Sequence, residues 1–206
     1  MSALLGHCLG AVAAGRMPAF EKHRRFLFSA EVTLAALFLA AAPDLDIAYK
    51  IFYQGQSSHR GPSHSLLVSA GLVLLVWLVV SRLGRRGGLV LPLALVLASL
   101  SHLMLDYLTG CGPKIMLFWP FGVEGFQCPV QLVPTGFAAG SMERLLRVMV
   151  ERRSLIGMTL ELMIFTPVLL AQKYASGRLL RWLPYLAVSA SAVFLAYLIY
   201  HSGNPL

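Results

Sequence analysis

The stretch Ser101-His102-Leu103-Met104-Leu105-Asp106 decides the fold and carries its most unusual polar pair. It closes an apolar run that begins at Leu89, and this pattern predicts a long helix in apolar surroundings. His102 and Asp106 are four residues apart, so they share one face at the end of that helix. Because ionisable groups at or near membrane depth are functional by default, the pair predicts a binding site.

Composition predicts that these surroundings are a lipid bilayer. The 206 residues are 57% hydrophobic and only 13% charged, which is far from the composition of a soluble globular protein. Each apolar run is long enough, or nearly so, to cross a hydrocarbon core of ~30 Å. These runs lie at 26–42, 65–81, 89–105, 155–171 and 183–200. We therefore predict an all-α fold, a polytopic membrane bundle of about five to six helices.

The predicted bundle is a single domain over residues 1–206 with three parts. Residues 1–122 contain the polar motifs, residues 123–154 form a loop and a basic amphipathic helix at the membrane surface, and residues 155–206 form a pair of helices. Three cysteines, Cys8, Cys111 and Cys128, have no zinc-type spacing. We interpret them as free thiols, although Cys111 and Cys128 could pair in an oxidising compartment.

The positive charge of the chain does not predict a nucleic-acid partner. The 17 Lys and Arg against 9 Asp and Glu are scattered over loops and do not form one stripe. Cytoplasmic loops and lipid headgroups explain such an excess in a membrane protein. Basic residues are concentrated at 16–25, 82–86 and 173–181, so these loops are predicted to be cytoplasmic.

Two further polar stretches lie at the ends of neighbouring apolar runs. Asp44-Leu45-Asp46 follows Pro43, which ends a helix, and His59-Arg60-Gly61-Pro62-Ser63-His64-Ser65 precedes the next run. Pro62 is predicted to be the first helical residue, which places His64 in the opening turn, where the positive end of the helix dipole keeps an imidazole neutral. Alternating passes through the membrane then bring these motifs and the 101–106 stretch to one end of the bundle.

Electrostatics points to a cation at that end. Asp44, Asp46 and Asp106 all follow or end helices, where the dipole disfavours an anion by ~0.3–1 kcal/mol each. Clustering the three carboxylates adds mutual repulsion. A bound metal ion reverses the sign of all these terms.

The same motifs carry a family resemblance. Together with Thr109, Gly112 and Leu117-Phe118-Trp119-Pro120-Phe121, they resemble the YdjM-type family of bacterial inner-membrane proteins, described as predicted metal-dependent hydrolases, over about residues 1–122. That family is distantly similar to the zinc-dependent phospholipases C and S1/P1-type nucleases, which hydrolyse phosphoesters with a zinc cluster. Those enzymes have further ligands after the His-x-x-x-Asp pair, whereas the later histidine here is His201. One or two metal ions are therefore expected.

The resemblance and the motifs together give a set of site residues. The expected cofactor is a divalent ion, Zn²⁺ with Mn²⁺ as the alternative. Asp44 or Asp46 is expected to be the general base, with Arg60 and Lys114 stabilising charge on the substrate. His7 enters through the family pattern alone, since a lone histidine on an apolar helix is otherwise a core residue. The predicted metal ligands are His7, Asp44, Asp46, His59, His64, His102 and Asp106.

The predicted function is metal-dependent hydrolysis of a phosphoester or lipid-linked substrate at the membrane surface. The predicted location is the inner membrane, with the site on its extracytoplasmic side. The alternative is a non-enzymatic protein, either a metal transporter or a scaffold with a structural ion. A transporter is expected to have polar residues along a path through the bilayer, whereas only Glu31 and Glu161 lie inside other predicted helices. The oligomeric state is left open.

Overall fold

The computed structural model describes residues 3–15, 17–47, 60–85, 87–109, 113–128, 143, 146–147 and 150–174. Its helices are α1 (Ala3–Gly15), α2 (Arg24–Leu27), α3 (Ala30–Ala41), α4 (Leu66–Arg82), α5 (Val90–Thr109) and α6 (Arg152–Tyr174). Short 3-10 helical turns cover Pro18–His23, Ala42–Asp44 and Pro62–His64. Within these described ranges there is no strand, only an isolated bridge between Ile115 and Phe126. The prediction of an all-α fold is confirmed.

Three helices, α1, α3 and α5, pack against one another and form the centre of the molecule. Helix α4 packs on α3 and α5, and α6 packs on α1. Large apolar side chains such as Leu39 and Leu95 fill one part of the centre. A second cluster consists of Ala11, Ala40 and Ala98, one residue from each central helix. Small residues at these positions allow the three backbones to approach closely.

Within the described part of the chain, fewer helices are long enough to span a membrane than the sequence predicts there. Among the described residues, one helix, Val90–Leu108, is long and apolar enough to cross a membrane by itself. A second span is possible only if the two parts of a bent pair, Phe20–Leu27 and Ala30–Ile47, are counted together. The run at 65–81 forms a 17-residue apolar helix, Leu66–Arg82, which is too short to be counted among these spans. The predicted helix over 26–42 is interrupted because Ser29 is extended, and the two parts of the bent pair meet at 98°.

The ends of α3 and α4 position the polar motifs. Helix α3 ends at Ala41, two residues before Pro43, as predicted. Helix α4 begins at Leu66, so the prediction of a start at Pro62 was wrong. Ser65 is extended and its hydroxyl accepts a hydrogen bond from the backbone N–H of Val68 at 3.2 Å, the standard geometry of an N-cap.

Residues 113–128, predicted to be irregular, form a hairpin that is attached to the entry of α4. The backbone N–H groups of Ile115 and Phe126 each donate to the carbonyl oxygen of the other at 2.9 Å. Leu66 N–H at the start of α4 donates to the carbonyl of Leu117 at 2.9 Å. This bond satisfies one of the donors that a helix start leaves open.

Several predictions fall partly or wholly outside the described residues. These include His59, Cys111, the helix at 183–200 and most of the amphipathic helix at 141–153. Cys8 and Cys128 are free thiols. The free thiol of Cys128 agrees with our interpretation and does not support the alternative, in which it pairs with Cys111.

Replacing Gly10 with leucine is expected to separate α1 from α5. A Cβ atom at Gly10 would lie 3.3 Å from Ser101 Oγ and 3.4 Å from Leu105 Cδ1, so a larger side chain has no room. Overpacking of this kind costs ~1–3 kcal/mol. We predict that Gly10→Leu lowers the thermal unfolding midpoint of the detergent-solubilised protein. Gly71→Leu on α4 is the control, because no described atom lies within 4 Å of that Cβ position. Equal midpoints for the two variants would contradict the prediction.

Candidate metal centre

Asp44, His64, His102 and Asp106 converge at one end of the central helices. One ligand atom from each side chain lies within 4.8 Å of the corresponding atoms of the other three. The two histidines and Asp106 are buried, and Asp44 is partly exposed. The four residues come from separate parts of the chain: the turn after α3, the turn before α4, and the end of α5. A group of two imidazoles and two carboxylates offers the nitrogen and oxygen ligands that divalent metals use.

The orientation of His102 is determined by a backbone carbonyl. His102 Nδ1 lies 2.7 Å from the carbonyl oxygen of Ala40, which can only accept, so Nδ1 carries the hydrogen. The lone pair of a neutral ring is then on Nε2, which lies 3.1 Å from His64 Nε2. Two imidazole nitrogens at this distance must share a proton or a cation. This pair is the clearest sign of a metal-binding arrangement.

His64 is held between two carboxylates. Its Nε2 lies 3.0 Å from Asp106 Oδ2 and 3.7 Å from Asp44 Oδ1. Burial lowers the pKa of His64, but the neighbouring carboxylates of Asp106 and Asp44 outweigh it and raise the pKa to about 9. The prediction of a neutral imidazole was therefore wrong, because these anions act more strongly than a helix dipole whose helix starts two residues later. A metal ion would have to replace this proton.

The two aspartates of the Asp-Leu-Asp motif have different positions. Asp44 belongs to the group of four, whereas Asp46 lies on the opposite side of the His64 ring, with Oδ2 at 3.6 Å from Nδ1. Ser63 connects Asp46 to His64, because its hydroxyl donates to Asp46 Oδ2 at 2.8 Å and lies 2.9 Å from His64 Nδ1. A hydrogen on Nδ1 that is donated to Ser63 leaves the Nε2 lone pair of a neutral His64 directed at the cluster.

Asp106 is the most deeply buried carboxylate of the cluster, at 1% exposure, and is paired with Arg60. The Arg60 guanidinium, itself 2% exposed, donates to Asp106 Oδ1 at 2.7 Å. Its backbone N–H donates to Asp46 Oδ2 at 3.2 Å. Arg60 also has a φ of 68°, in the left-handed region that non-glycine residues seldom adopt. These bonds hold a strained residue in place, as is common at functional sites.

His7 completes the inner face of the cluster from α1. Its ring stacks on that of His102 with centroids 3.8 Å apart, and its Nε2 lies 3.6 Å from Asp106 Oδ1. The side chain is fully buried, and within the described part of the chain neither ring nitrogen has a hydrogen-bond partner. Buried polar atoms without partners are costly and uncommon. A cation at the cluster would give one of these nitrogens a partner.

Glu161 is a residue of the site region to which the sequence assigned no role. It lies buried on α6 and accepts a hydrogen bond from Gly6 N–H at 3.1 Å. The carboxylate lies so close that a Cβ at Gly6 would be 2.8 Å from Glu161 Cδ. Glu161 thus holds the helix that carries His7. The sequence feature that could have indicated such a role is an acidic residue inside an otherwise apolar helix.

Of the predicted residues that the structure describes, Lys114 is separate from this arrangement. His59 lies outside the described residues. Lys114 is exposed on the hairpin, where its side chain lies beside Gly125, and the described contacts do not connect it to the cluster. The other predicted residues, His7, Asp44, Asp46, Arg60, His64, His102 and Asp106, are brought together.

These features define the general class of the protein: it is a helical protein with one helix of membrane-spanning length and a buried cluster of histidines and aspartates. The chain matches the YdjM inner membrane protein family over residues 1–179, and it belongs to that family. The resemblance to this family is thereby confirmed. The chain is also 35% identical over 103 residues to the inner membrane protein YbcI of Escherichia coli strain K12. That match covers 48% of this chain and 59% of the relative.

No solved structure matches the chain. The distant similarity to zinc-dependent phospholipases C and S1/P1-type nucleases therefore stays a prediction.

The different positions of Asp44 and Asp46 predict different effects on metal binding. Asp44→Asn removes a negative charge from the group of four, so we expect it to weaken zinc binding more than Asp46→Asn does, while excess zinc still loads the other three donors. Asp46→Asn disturbs only the orientation of His64, and loss of such a contact costs about 10–100-fold in affinity. Zinc titration of the purified variants by calorimetry measures both. Glu124→Gln, on the exposed part of the hairpin, is the charge-matched control. Equal losses for the two aspartates, or a larger loss for Asp46→Asn, would refute this assignment.

Proposed function

We propose that this protein is a membrane-bound metal-dependent hydrolase that cleaves a phosphoester in a lipid or lipid-linked substrate. The observation that carries the proposal is the convergence of His64 Nε2 and His102 Nε2, 3.1 Å apart, with carboxylate oxygens of Asp44 and Asp106. This donor set fits Zn²⁺ best, with Mn²⁺ as the second choice. His7, beside Asp106, is the further ligand if a second ion binds.

The roles of the two aspartates follow from their positions. When bound, a divalent ion lowers the pKa of a water molecule and polarises a phosphoryl oxygen. Asp44 is 12% exposed, compared with 1% for Asp106, so it lies on the side from which water arrives. In this proposal His64, His102 and Asp106 would hold the ion, and Asp44, beside the fourth position, takes the proton from the attacking water. Asp46 acts on His64 through Ser63 and keeps its Nε2 available.

The two predicted cations also receive separate roles. Arg60 is buried and donates to Asp106, so we assign it a positioning role instead of direct contact with the substrate. Lys114 is exposed on the hairpin and stays the predicted cation for a phosphate group. The hairpin is joined to Arg60 because Met116 N–H donates to the Arg60 carbonyl at 3.3 Å. The two cations are therefore carried by neighbouring segments.

The surroundings of the cluster support an amphiphilic substrate. The hairpin exposes Phe118, Phe121 and Val123. Its far end is attached to the end of the membrane-length helix, since Cys128 N–H donates to the Tyr107 carbonyl at 3.1 Å. Exposed aromatic side chains at that level suit the membrane–water interface. A substrate with its phosphate at the headgroup level and its chain in the bilayer would reach this site, on the extracytoplasmic side in our proposal.

The second candidate function is a scaffold that binds a structural metal ion. Four protein donors are enough to close a tetrahedral zinc site, whereas catalytic sites keep one position open. The partial exposure of Asp44 favours the hydrolase, because a structural site has no need of access for water. The two functions agree on metal binding and differ on hydrolysis.

Removal of the His-x-x-x-Asp pair is expected to abolish hydrolysis. We predict that the zinc-loaded protein, reconstituted into vesicles, hydrolyses phospholipids or a synthetic phosphodiester, that chelation stops the reaction, and that added zinc restores it. The double variant His102→Ala and Asp106→Ala should reduce the rate to background while membrane insertion persists. His23→Ala, on an exposed loop, is the control. Retained activity in the double variant would refute the assignment, and bound zinc without any hydrolysis would favour the scaffold.

Asp44→Asn separates catalysis from binding when metal is supplied in excess. Loss of a general base lowers a rate by about 10²–10⁴-fold. We therefore expect the turnover number of Asp44→Asn to fall by this factor at zinc concentrations that load the site, with a smaller effect for Ser63→Ala. Turnover is compared at matched zinc occupancy, determined by elemental analysis. A turnover number for Asp44→Asn equal to that of the wild type would exclude Asp44 as the base.

A further inference from the structure

The two carboxylate oxygens of Asp106 face two different sets of side chains. Asp106 Oδ2 lies 3.0 Å from His64 Nε2 and 3.6 Å from His102 Nε2, on the side of the group of four. Asp106 Oδ1 lies 2.7 Å from Arg60 Nη2 and 3.6 Å from His7 Nε2. A carboxylate accepts at both of its oxygens, so Asp106 can serve two cations, one on each side.

The position beside Asp106 Oδ1 already holds a positive charge of the chain itself. The Arg60 and Asp106 side chains are 2% and 1% exposed, so water does not separate the pair. A guanidinium keeps its charge throughout the pH range in which proteins fold. A metal ion at the same oxygen would displace Arg60 and leave its charge buried without a counter-ion, which is strongly unfavourable.

The backbone of Arg60 keeps the guanidinium at this position. Arg60 N–H donates to Asp46 Oδ2 at 3.2 Å, and the Arg60 carbonyl accepts from Met116 N–H at 3.3 Å. The backbone is therefore held on both sides of a residue with a φ of 68°. Because the side chain is also buried, the charge of Arg60 is a fixed part of the cluster.

The charges of the cluster balance with one divalent ion. Three carboxylates, those of Asp44, Asp46 and Asp106, contact the histidines and Arg60. One divalent ion and one guanidinium neutralise three carboxylates. A second divalent ion would leave an excess of two positive charges in a buried site, where unbalanced charge is costly.

We propose that Arg60 takes the place of a second metal ion, so that the centre binds a single divalent ion on the Oδ2 side of Asp106. His7 stacks on His102 and lies beside Oδ1, so it becomes a metal ligand only when the guanidinium is removed. Arg60 then supplies the positive charge that a second ion supplies in two-metal sites, and this charge cannot dissociate. The inference rests on the metal centre of the proposed function but not on hydrolysis.

The number of bound zinc ions tests this proposal. The purified protein is loaded with zinc, desalted and analysed by native mass spectrometry and elemental analysis. We expect about one zinc ion per wild-type chain. Arg60→Gly removes the guanidinium, and glycine adopts a positive φ without strain. This variant should bind about two, because Asp106 Oδ1 and His7 become available to a second ion. Adding His7→Ala to Arg60→Gly should return the number to about one.

Three single variants serve as controls and as independent tests. Arg60→Lys keeps a positive charge and should bind about one ion, and so should Lys114→Gln, which removes an exposed cation on the hairpin. His7→Ala alone should also bind about one ion, since His7 is not a ligand while Arg60 is present. Thermal unfolding verifies that each variant is folded. The wild type and His7→Ala keep the test decisive if Arg60→Gly does not fold.

The outcomes separate this proposal from the metal centre itself. Two zinc ions in the wild type, or loss of the single ion in His7→Ala, would overturn the role of Arg60 and leave the metal centre intact. One ion in a folded Arg60→Gly would show that the guanidinium does not exclude a second ion, and would also overturn it. A wild type that binds no zinc would refute the metal centre, and this inference with it.

Discussion

The carboxylate of Asp106, buried at the centre of a helical bundle, is the constraint on which the rest of the structure depends. An ion removed from water costs several kcal/mol unless it is paired and hydrogen-bonded. Arg60 covers one oxygen at 2.7 Å, and His64 lies 3.0 Å from the other. Helix α5 has no further charged residue to contribute. The partners must therefore come from other segments, and the turn at residues 60–64 is folded so that it delivers both.

The same turn connects the cluster to the hairpin at 113–128. Arg60 holds Asp106 with its side chain, Asp46 with its backbone N–H and the hairpin at 113–128 with its carbonyl. A residue with three such connections in a left-handed conformation has little freedom to move. Exposed aromatic side chains of the hairpin are consequently fixed relative to the buried carboxylates. This rigidity suits the proposed function, in which a phosphate is held at a set depth in the membrane interface.

Much of the cluster could be predicted from helix periodicity and from the alternating direction in which successive helices cross the membrane. The spacing of His102 and Asp106, and the helix end before Pro43, are local features and were predicted correctly. The different positions of Asp44 and Asp46 were not predictable, because they depend on where one hydroxyl, that of Ser63, lies. The start of α4 was predicted wrongly because Pro62 begins only a short 3-10 turn, and Ser65 is the residue that caps the α-helix. The charge on His64 depends on carboxylates distant in sequence, which outweigh local rules.

The alanine cluster separates the two halves of the bundle and limits how a substrate can approach. Ala11, Ala40 and Ala98 are almost wholly buried, and each lies four residues along its segment from a residue of the cluster: His7, Asp44 and His102. Close packing leaves no passage for a chain through this layer. In the proposed function, a substrate therefore reaches the metal centre from the side on which Asp44 and Asp46 retain partial exposure and the hairpin exposes its aromatic side chains.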